Sequence, residues 1–268
     1  MLDVEFGQAS DPGKVRTNNE DALGSFVPAS PHRIRSHGYL FTVADGVGGL
    51  DLGEIASSTA VSVLTREFES SAGGAMLISL LPTLVQQANA AVHDCTLASE
   101  FRGKKMATTV VACALRHDQA VVSHVGDSRC YLVRNGHAKQ ITHDHTWVNE
   151  QLRQGVITPA EAARSEARHV LLRSLGLETF VSPDTTALTI HSGDVLVLCS
   201  DGVHAGLPEA TMAHIVSQNK PIDQIADELV ARAVDNDGSD NTSAMVIKIR
   251  SVEQMGTYRD RNHHHSSL

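Results

Sequence analysis

Apolar and polar positions along the chain alternate between short strand-like runs and a few amphipathic helices. Gly38–Ala44 is apolar, rich in β-formers, and ends in Asp45-Gly46. A succession of strands is predicted between Thr108 and Gln140: Thr108–Leu115, a turn at His117-Asp118-Gln119, Ala120–Val125, and Arg129–Val133 after Gly126-Asp127. Asn135-Gly136 marks a hairpin, because both central residues of that tight turn need positive φ. Asp194–Cys199 and Thr242–Ile249 are two further apolar runs. Helical spacing appears in three places. Ala56, Ala60, Val63, Leu64 and Phe68 form one stripe, and Leu81, Leu84, Val85, Ala88, Ala91, Val92 and Cys95 a second, with Pro82 expected in its first turn. Ile222, Ile225, Ala226, Leu229, Val230 and Ala233 form the third, with Pro221 at its start. Each helix has one apolar face, so each must pack on something flat and apolar.

The order of these elements sets the fold class. Two helices precede a meander of hairpins, and helices and strands follow it without regular βαβ alternation, which argues against a doubly wound parallel sheet. The expected class is α+β, with antiparallel sheets carrying helices on their outer faces. One domain is expected over residues 1–250, followed by a polar tail at 251–268, with no internal repeat or low-complexity linker between.

Composition narrows the partners. The chain has 268 residues, and 22 Lys and Arg against 31 Asp and Glu give a formal charge of −9. With no Lys/Arg runs, nucleic acid is not the expected partner. No window of about 18 apolar residues is present, so no membrane span is expected. Met1-Leu2-Asp3-Val4-Glu5 lacks the regions of a signal peptide. Cys95, Cys113, Cys130 and Cys199 are widely spaced, three of them inside strand-like runs, and read as small buried hydrophobes rather than a zinc or redox site. A cytoplasmic location and a monomeric state are expected.

The informative feature is where the carboxylates sit. Glu20-Asp21 follows Arg16-Thr17-Asn18-Asn19, and Asp45 ends a strand run and opens Asp45-Gly46-Val47-Gly48-Gly49. Asp127 follows Val125-Gly126, Asp201 follows Val195–Ser200 and precedes Gly202, and Asp240 sits just before the last strand run. A single Asp-Gly is ordinarily a solvated turn. Its recurrence at strand ends that could share one rim is different, because clustered carboxylates repel unless a cation neutralises them. Oxygen ligands without neighbouring His or Cys select hard cations such as Mg2+ or Mn2+.

These residues carry a resemblance. Arg16-x-x-Asn19-Glu20-Asp21, Asp45-Gly46-x-Gly48-Gly49, Val125-Gly126-Asp127-Ser128-Arg129, Ser200-Asp201-Gly202 and Ser239-Asp240-Asn241, in this order, resemble the metal-dependent Ser/Thr protein phosphatases of the protein phosphatase 2C type, in their compact bacterial form. The resemblance runs from about Phe6 to Arg250. It implies a β-sandwich of two antiparallel sheets flanked by helices, four layers in all, with a metal cleft at one rim. It further implies that Asp45 bridges two divalent cations, Mn2+ or Mg2+, with Asp201 and Asp240 on one of them and the Gly46 carbonyl on the other. Glu20 would act through metal-bound water, Asp21 would support the cluster, and Asp127 with Asp201 would hold a third, weaker ion. Arg16 would grip the substrate phosphate, as a planar fork matches two phosphate oxygens. Asn19 and Asn241 are assigned to structural support. The reaction implied is hydrolysis of phosphoserine and phosphothreonine in proteins, opposing a Ser/Thr kinase, without a phosphoenzyme.

Some positions depart from the family pattern. Val47 stands where eukaryotic members commonly carry a His that could protonate the leaving alkoxide, so a metal-bound water is the expected donor. Ala107 replaces a frequent Gly before Thr108-Thr109, with little effect expected. His143-Asp144-His145 reads as helix capping by Asp and Thr ahead of Trp147–Leu152 rather than as a metal cluster. The segment from about 146 to 170 is expected to form an exposed, mobile flap that influences substrate choice. Two other readings remain open at this point: a partner-switching phosphatase for one small regulatory protein, and a non-catalytic phosphoprotein-binding module. A binuclear zinc hydrolase finds no paired His motif.

Overall fold

The computed structural model describes residues 1–47, 52–97, 101 and 104–252. Gly48, Gly49 and the tail from residue 253 onward lie outside the described residues. The strands are β1 (Asp3–Asp11), β2 (Asp21–Phe26), β3 (Tyr39–Asp45), β4 (Val110–Arg116) and β5 (Gln119–Val125). Then follow β6 (Arg129–Arg134), β7 (His137–Gln140), β8 (Asp184–Thr189), β9 (Val195–Cys199) and β10 (Thr242–Ser251). The helices are α1 (Pro31–Ser36), α2 (Gly53–Ser70), α3 (Leu77–Leu97) and α4 (Trp147–Arg153). They continue with α5 (Pro159–Arg164), α6 (Asp201–Gly206), α7 (Glu209–Val216) and α8 (Ile222–Asn236).

Among the described residues the strands form two antiparallel five-stranded sheets, ordered β1-β10-β9-β6-β7 and β2-β3-β4-β5-β8. Side chains on a strand alternate between faces, and here both faces of the central strands are covered. On β3, Tyr39, Phe41 and Val43 point between the sheets, where they meet Cys113, Leu132, Leu198 and Ile247. Leu40 and Ala44 point the other way, into a core with Ala60, Leu64, Leu84 and Val85 of α2 and α3. The outer face of the sheet that contains β9 and β10 packs Val197 and Val246 against Met212, Ile225 and Leu229 of α7 and α8. The result is the expected four-layer sandwich. Cys113, Cys130 and Cys199 are buried in it as free thiols, and Asn135 and Gly136 take the positive φ of 53° and 75° that their hairpin requires.

Pro82 is not in the first turn of its helix. It lies inside α3, which begins at Leu77. A proline in a helix interior costs about 3 kcal/mol. Burial of Leu77 and Leu81, at 5% and 0% exposure, returns about 1.5–3 kcal/mol each. The apolar stripe therefore extends upstream past the proline. No helix among the described residues is long and apolar enough to cross a membrane.

Candidate active site

Antiparallel register brings the acidic strand ends to one rim. Asp21 lies directly opposite Asp45 in the β2–β3 pair. The Asp45 backbone is clamped by the threonine pair: Thr109 N–H and Thr108 Oγ1 both donate to its carbonyl at 2.8 Å, and its own N–H donates to Thr109 Oγ1 at 3.2 Å. Thr109 Oγ1 also meets Ser128 Oγ at 2.6 Å, which fixes the end of β5 and Asp127 beside Asp45. From the other sheet, Ser200 Oγ donates to Asp21 Oδ2 at 2.8 Å and accepts the Ser243 N–H at 3.0 Å. The two sheets are thus sewn together at the rim where Asp201 and Asp240 emerge.

Two glycines permit the close approaches. A Cβ on Gly46 would stand 2.5 Å from the Gly53 carbonyl and 2.8 Å from that of Glu20, and one on Gly202 would stand 2.2 Å from the Asn241 carbonyl. No side chain fits at either position, which is why Asp45 and Asp201 are each followed by glycine.

A cleft of about 410 Å3 opens on this rim, lined by Asp45, Gly46, Asp127, Asp201, Asp240 and Arg16 among others. Asp21, half-buried with its Oδ1 enclosed, pairs with Asp45 of the cleft lining, and Glu20 precedes it. Burial, and then the neighbouring carboxylates Asp21, Asp201, Asp127 and Asp240, push Asp45 well above the ordinary carboxylate range. Burial likewise pushes Asp21 and Asp127 up to about 7. Burial works against the Asp201 carboxylate too, but the neighbouring imidazoles of His169, 3.7 Å away, and His204 hold it below the ordinary range. Glu20 is raised by burial, against the pull of Arg16. So much negative charge in a buried space is costly without a counter-charge. Asp21 Oδ1 is buried with no hydrogen-bond partner among the described residues. An all-oxygen donor set with an orphaned carboxylate oxygen fits divalent cations of the Mg2+ or Mn2+ kind.

Asn19 and Asn241 tie down the loop that leads into β2. Asn241 Oδ1 accepts the Glu20 N–H at 2.8 Å, and its Nδ2 donates to the Pro12 and Asn18 carbonyls at 3.0 and 2.9 Å. Asn19 accepts the Asp21 N–H at 3.1 Å and donates to Ser10 at 2.8 Å. Together they hold the loop that carries Arg16, whose Nη2 reaches Asp240 Oδ2 at 2.8 Å. Asn241→Ala removes three bonds at once and is expected to cost about 2–3 kcal/mol in urea unfolding. It should also raise KM for phosphopeptides, since the Arg16 loop loses its tether.

The segment from Thr146 to Val170 leaves the sheet and returns beside its own start. Trp147 N–H donates to the Val170 carbonyl at 2.8 Å and Leu172 N–H to that of His145 at 2.7 Å. Its last turn delivers Arg168 and His169 into the cleft, with His169 Nδ1 3.7 Å from Asp201 Oδ2. His169 carries no local signal in the sequence and was not anticipated. The expected capping ahead of α4 is half right. Thr146 caps α4 through the Asn149 N–H. Asp144 does not: its carboxylate takes both Nε and Nη2 of Arg129, at 2.9 and 2.6 Å, because that guanidinium is buried beside it. His145, joined by His124 and Asp184, forms a group whose ligating atoms lie within 4.8 Å of one another. These residues are 21 or more positions apart in sequence where His124 and His145 are compared, so no motif flagged them. Arg173 Nη1 stands 2.8 Å from Asp184 Oδ1 and 3.3 Å from His145 Nε2, and His145 Nδ1 accepts the Gly126 N–H at 3.2 Å. The positive charge a metal would supply is already there, and the group acts as a brace at the flap base.

Comparison with known proteins agrees with this geometry. A family profile described as protein phosphatase 2C matches residues 14–241. The serine/threonine phosphatase stp of Listeria innocua is 33% identical over 250 residues, which span 92% of this chain and 96% of that protein. The Mycobacterium tuberculosis serine/threonine phosphatase PstP/Ppp superposes with a TM-score of 0.80 at 30% identity, covering 93% of this chain and 100% of that one. A PstP catalytic domain solved in complex with two manganese ions superposes with a TM-score of 0.78 at 31% identity, covering 94% of this chain and 100% of that one. The chain belongs to the protein phosphatase 2C family and is a metal-dependent serine/threonine protein phosphatase.

Proposed function

We propose that Asp45, Asp201 and Asp240, with the Gly46 carbonyl, hold a pair of Mn2+ or Mg2+ ions, and that Asp127 and Asp201 hold a third, weaker one. Glu20 and Asp21, at the start of β2 opposite Asp45, support this set. The observation that carries the reading is the convergence of four carboxylates from separate strand ends with Arg16 on one cleft. When bound, such ions supply charge neutralisation for a phosphate dianion and an activated water for in-line attack.

The chain's own residues do the remaining work. Arg16 has five N–H donors and gives one side of its fork to Asp240, leaving the others to bind and orient the phosphate. The substrates are phosphoserine and phosphothreonine in proteins, and the physiological role is to oppose a Ser/Thr kinase in the cytoplasm, acting as a monomer. Release of phosphate from a phosphothreonine peptide on addition of Mn2+ tests this. Affinity for the peptide without release would instead identify a binding module.

Val47 offers no proton, so water in the cleft protonates the leaving alkoxide. His169 is the imidazole lining the cleft among the described residues, which makes His169→Ala the decisive variant. Hydrolysis of an activated aryl phosphate and of a phosphothreonine peptide should fall by the same factor. A loss confined to the peptide, whose leaving group needs the proton, would make His169 the acid.

A further inference from the structure

Half of the large apolar side chains that stand exposed among the described residues lie between Trp147 and Phe180. Several of these line a groove of about 400 Å3, built from Leu171, Leu172, Leu177, Phe180 and Val181. Leu171 also lines the catalytic cleft, so the groove begins where the cleft ends. Phe180 is 71% exposed, and Leu172 and Leu177 are each about half exposed.

The loop that carries these side chains is held rigidly. Asn89 of α3 accepts the Gly176 N–H at 2.9 Å and donates to the Glu178 carbonyl at 2.9 Å. Gln86, one turn earlier, donates to the Thr179 carbonyl and accepts the Val181 N–H, both at 3.0 Å. Leu175 and Val181 are buried in the core beneath. Two side-chain amides thus satisfy four backbone groups and fix the loop, while Leu177 and Phe180 are left facing water. Exposed aromatic and aliphatic side chains on a fixed backbone are the low-entropy anchors from which binding surfaces are made. Of the two charged residues that line the groove with these apolar side chains, Arg173 is engaged by Asp184 at 2.8 Å and by the Ser182 carbonyl at 3.3 Å, while Glu178 is exposed at its edge.

We propose that this groove, continuous with the catalytic cleft across Leu171, docks an apolar side chain of the phosphoprotein substrate close in sequence to the phosphorylated residue. The assignment rests on the phosphatase reading of the cleft, because the bound phosphoresidue is what brings the flanking chain to Leu171. An extended segment advances about 3.3 Å per residue, and Leu171 joins the two spaces, so the chain that flanks the phosphoresidue passes into the groove. The substrate preference that follows is phosphothreonine or phosphoserine with a leucine-like neighbour, rather than one in a uniformly polar stretch.

The test uses phosphothreonine peptides of otherwise polar sequence, with one leucine walked through the positions on either side. Wild-type protein should prefer a peptide with leucine at one particular position by about tenfold in kcat/KM, as expected for burial of one such side chain, and the gain should lie in KM. Phe180→Ser and Leu177→Ser should each remove most of that preference. Hydrolysis of p-nitrophenyl phosphate reports whether the cleft itself is intact in each variant. Because both side chains project from the surface, circular dichroism should be unchanged. Equal rates on every peptide, or a preference that survives both substitutions, overturns the docking groove while leaving the phosphatase in place. A wild-type dimer that Phe180→Ser dissociates, with peptide preference unaltered, assigns the surface to a second copy of the chain and also overturns it. Absence of phosphate release from any substrate by the wild-type protein removes both readings together.

Discussion

Asp45→Asn and Asp201→Asn are each expected to lower Mn2+-dependent phosphate release from a phosphothreonine peptide by roughly a thousandfold, or about 4 kcal/mol of transition-state stabilisation. The fold should survive both changes. Asn has the shape of Asp and keeps one acceptor oxygen, but it removes the negative charge that the proposed cation site would draw on. For Asp45 the metal-free protein should be no less stable than wild type, since burial and four neighbouring carboxylates already favour its neutral form. Asn fixes that neutral form, so no repulsion between this position and Asp21, Asp127, Asp201 and Asp240 can develop as pH rises. Calorimetry in EDTA should therefore give an unchanged or higher Tm for Asp45→Asn. Calorimetry with Mn2+ should show that the metal-induced rise in Tm is largely lost. A variant that unfolds in EDTA would mean that Asp45 is structural. One that keeps its activity would remove Asp45 from the metal centre altogether.

The parts of this molecule that could be read from the chain are those whose residues face apolar surroundings on both sides. β3, β4, β5, β6, β9 and β10 lie mostly inside their sheets, are covered above and below, and carry continuous apolar runs. β1, β2 and β8 are edge strands with half-exposed patterns such as Asp3–Asp11, and no periodicity marked them. An edge strand needs only one neighbour and tolerates polar residues, so its sequence resembles a loop. The same logic divides the site. Asp45, Asp127, Asp201 and Asp240 are legible because each is anchored to a legible strand end, the first three beside a glycine that the backbone demands. His169 and the His124–His145–Asp184 brace depend on where the flap closes, and that is settled by contacts between positions far apart in sequence. Thr108 and Thr109 stood in view as a motif, but their clamp on the Asp45 carbonyl follows from the β3–β4 register rather than from their identity.

Metal removal is expected to reverse the dependence of stability on pH. Asp21 and Asp127 rise from 3.8 in the unfolded chain to about 7 in the fold, through burial and then, for Asp127, the nearby Asp201. Between these values the folded protein holds protons that the unfolded chain has released. Its stability without metal is then greatest at low pH within this window, and is lost as pH climbs through about 7. At about 1.4 kcal/mol for each tenfold change in proton affinity, two such groups represent several kcal/mol. Divalent cations need the same carboxylates deprotonated, so their affinity rises over the same interval. A ligand present at about a hundred times its Kd adds about 2.7 kcal/mol, or a Tm increase of roughly 5–10 °C for a domain of this size. Calorimetry from about pH 5 to about pH 8 should give a Tm that falls with pH in EDTA and does not fall in Mn2+, so that the gap widens steadily. A gap that stays constant across the range would mean that the carboxylates under the cleft are already ionised without metal. Repulsion among them would then not be what the cations relieve.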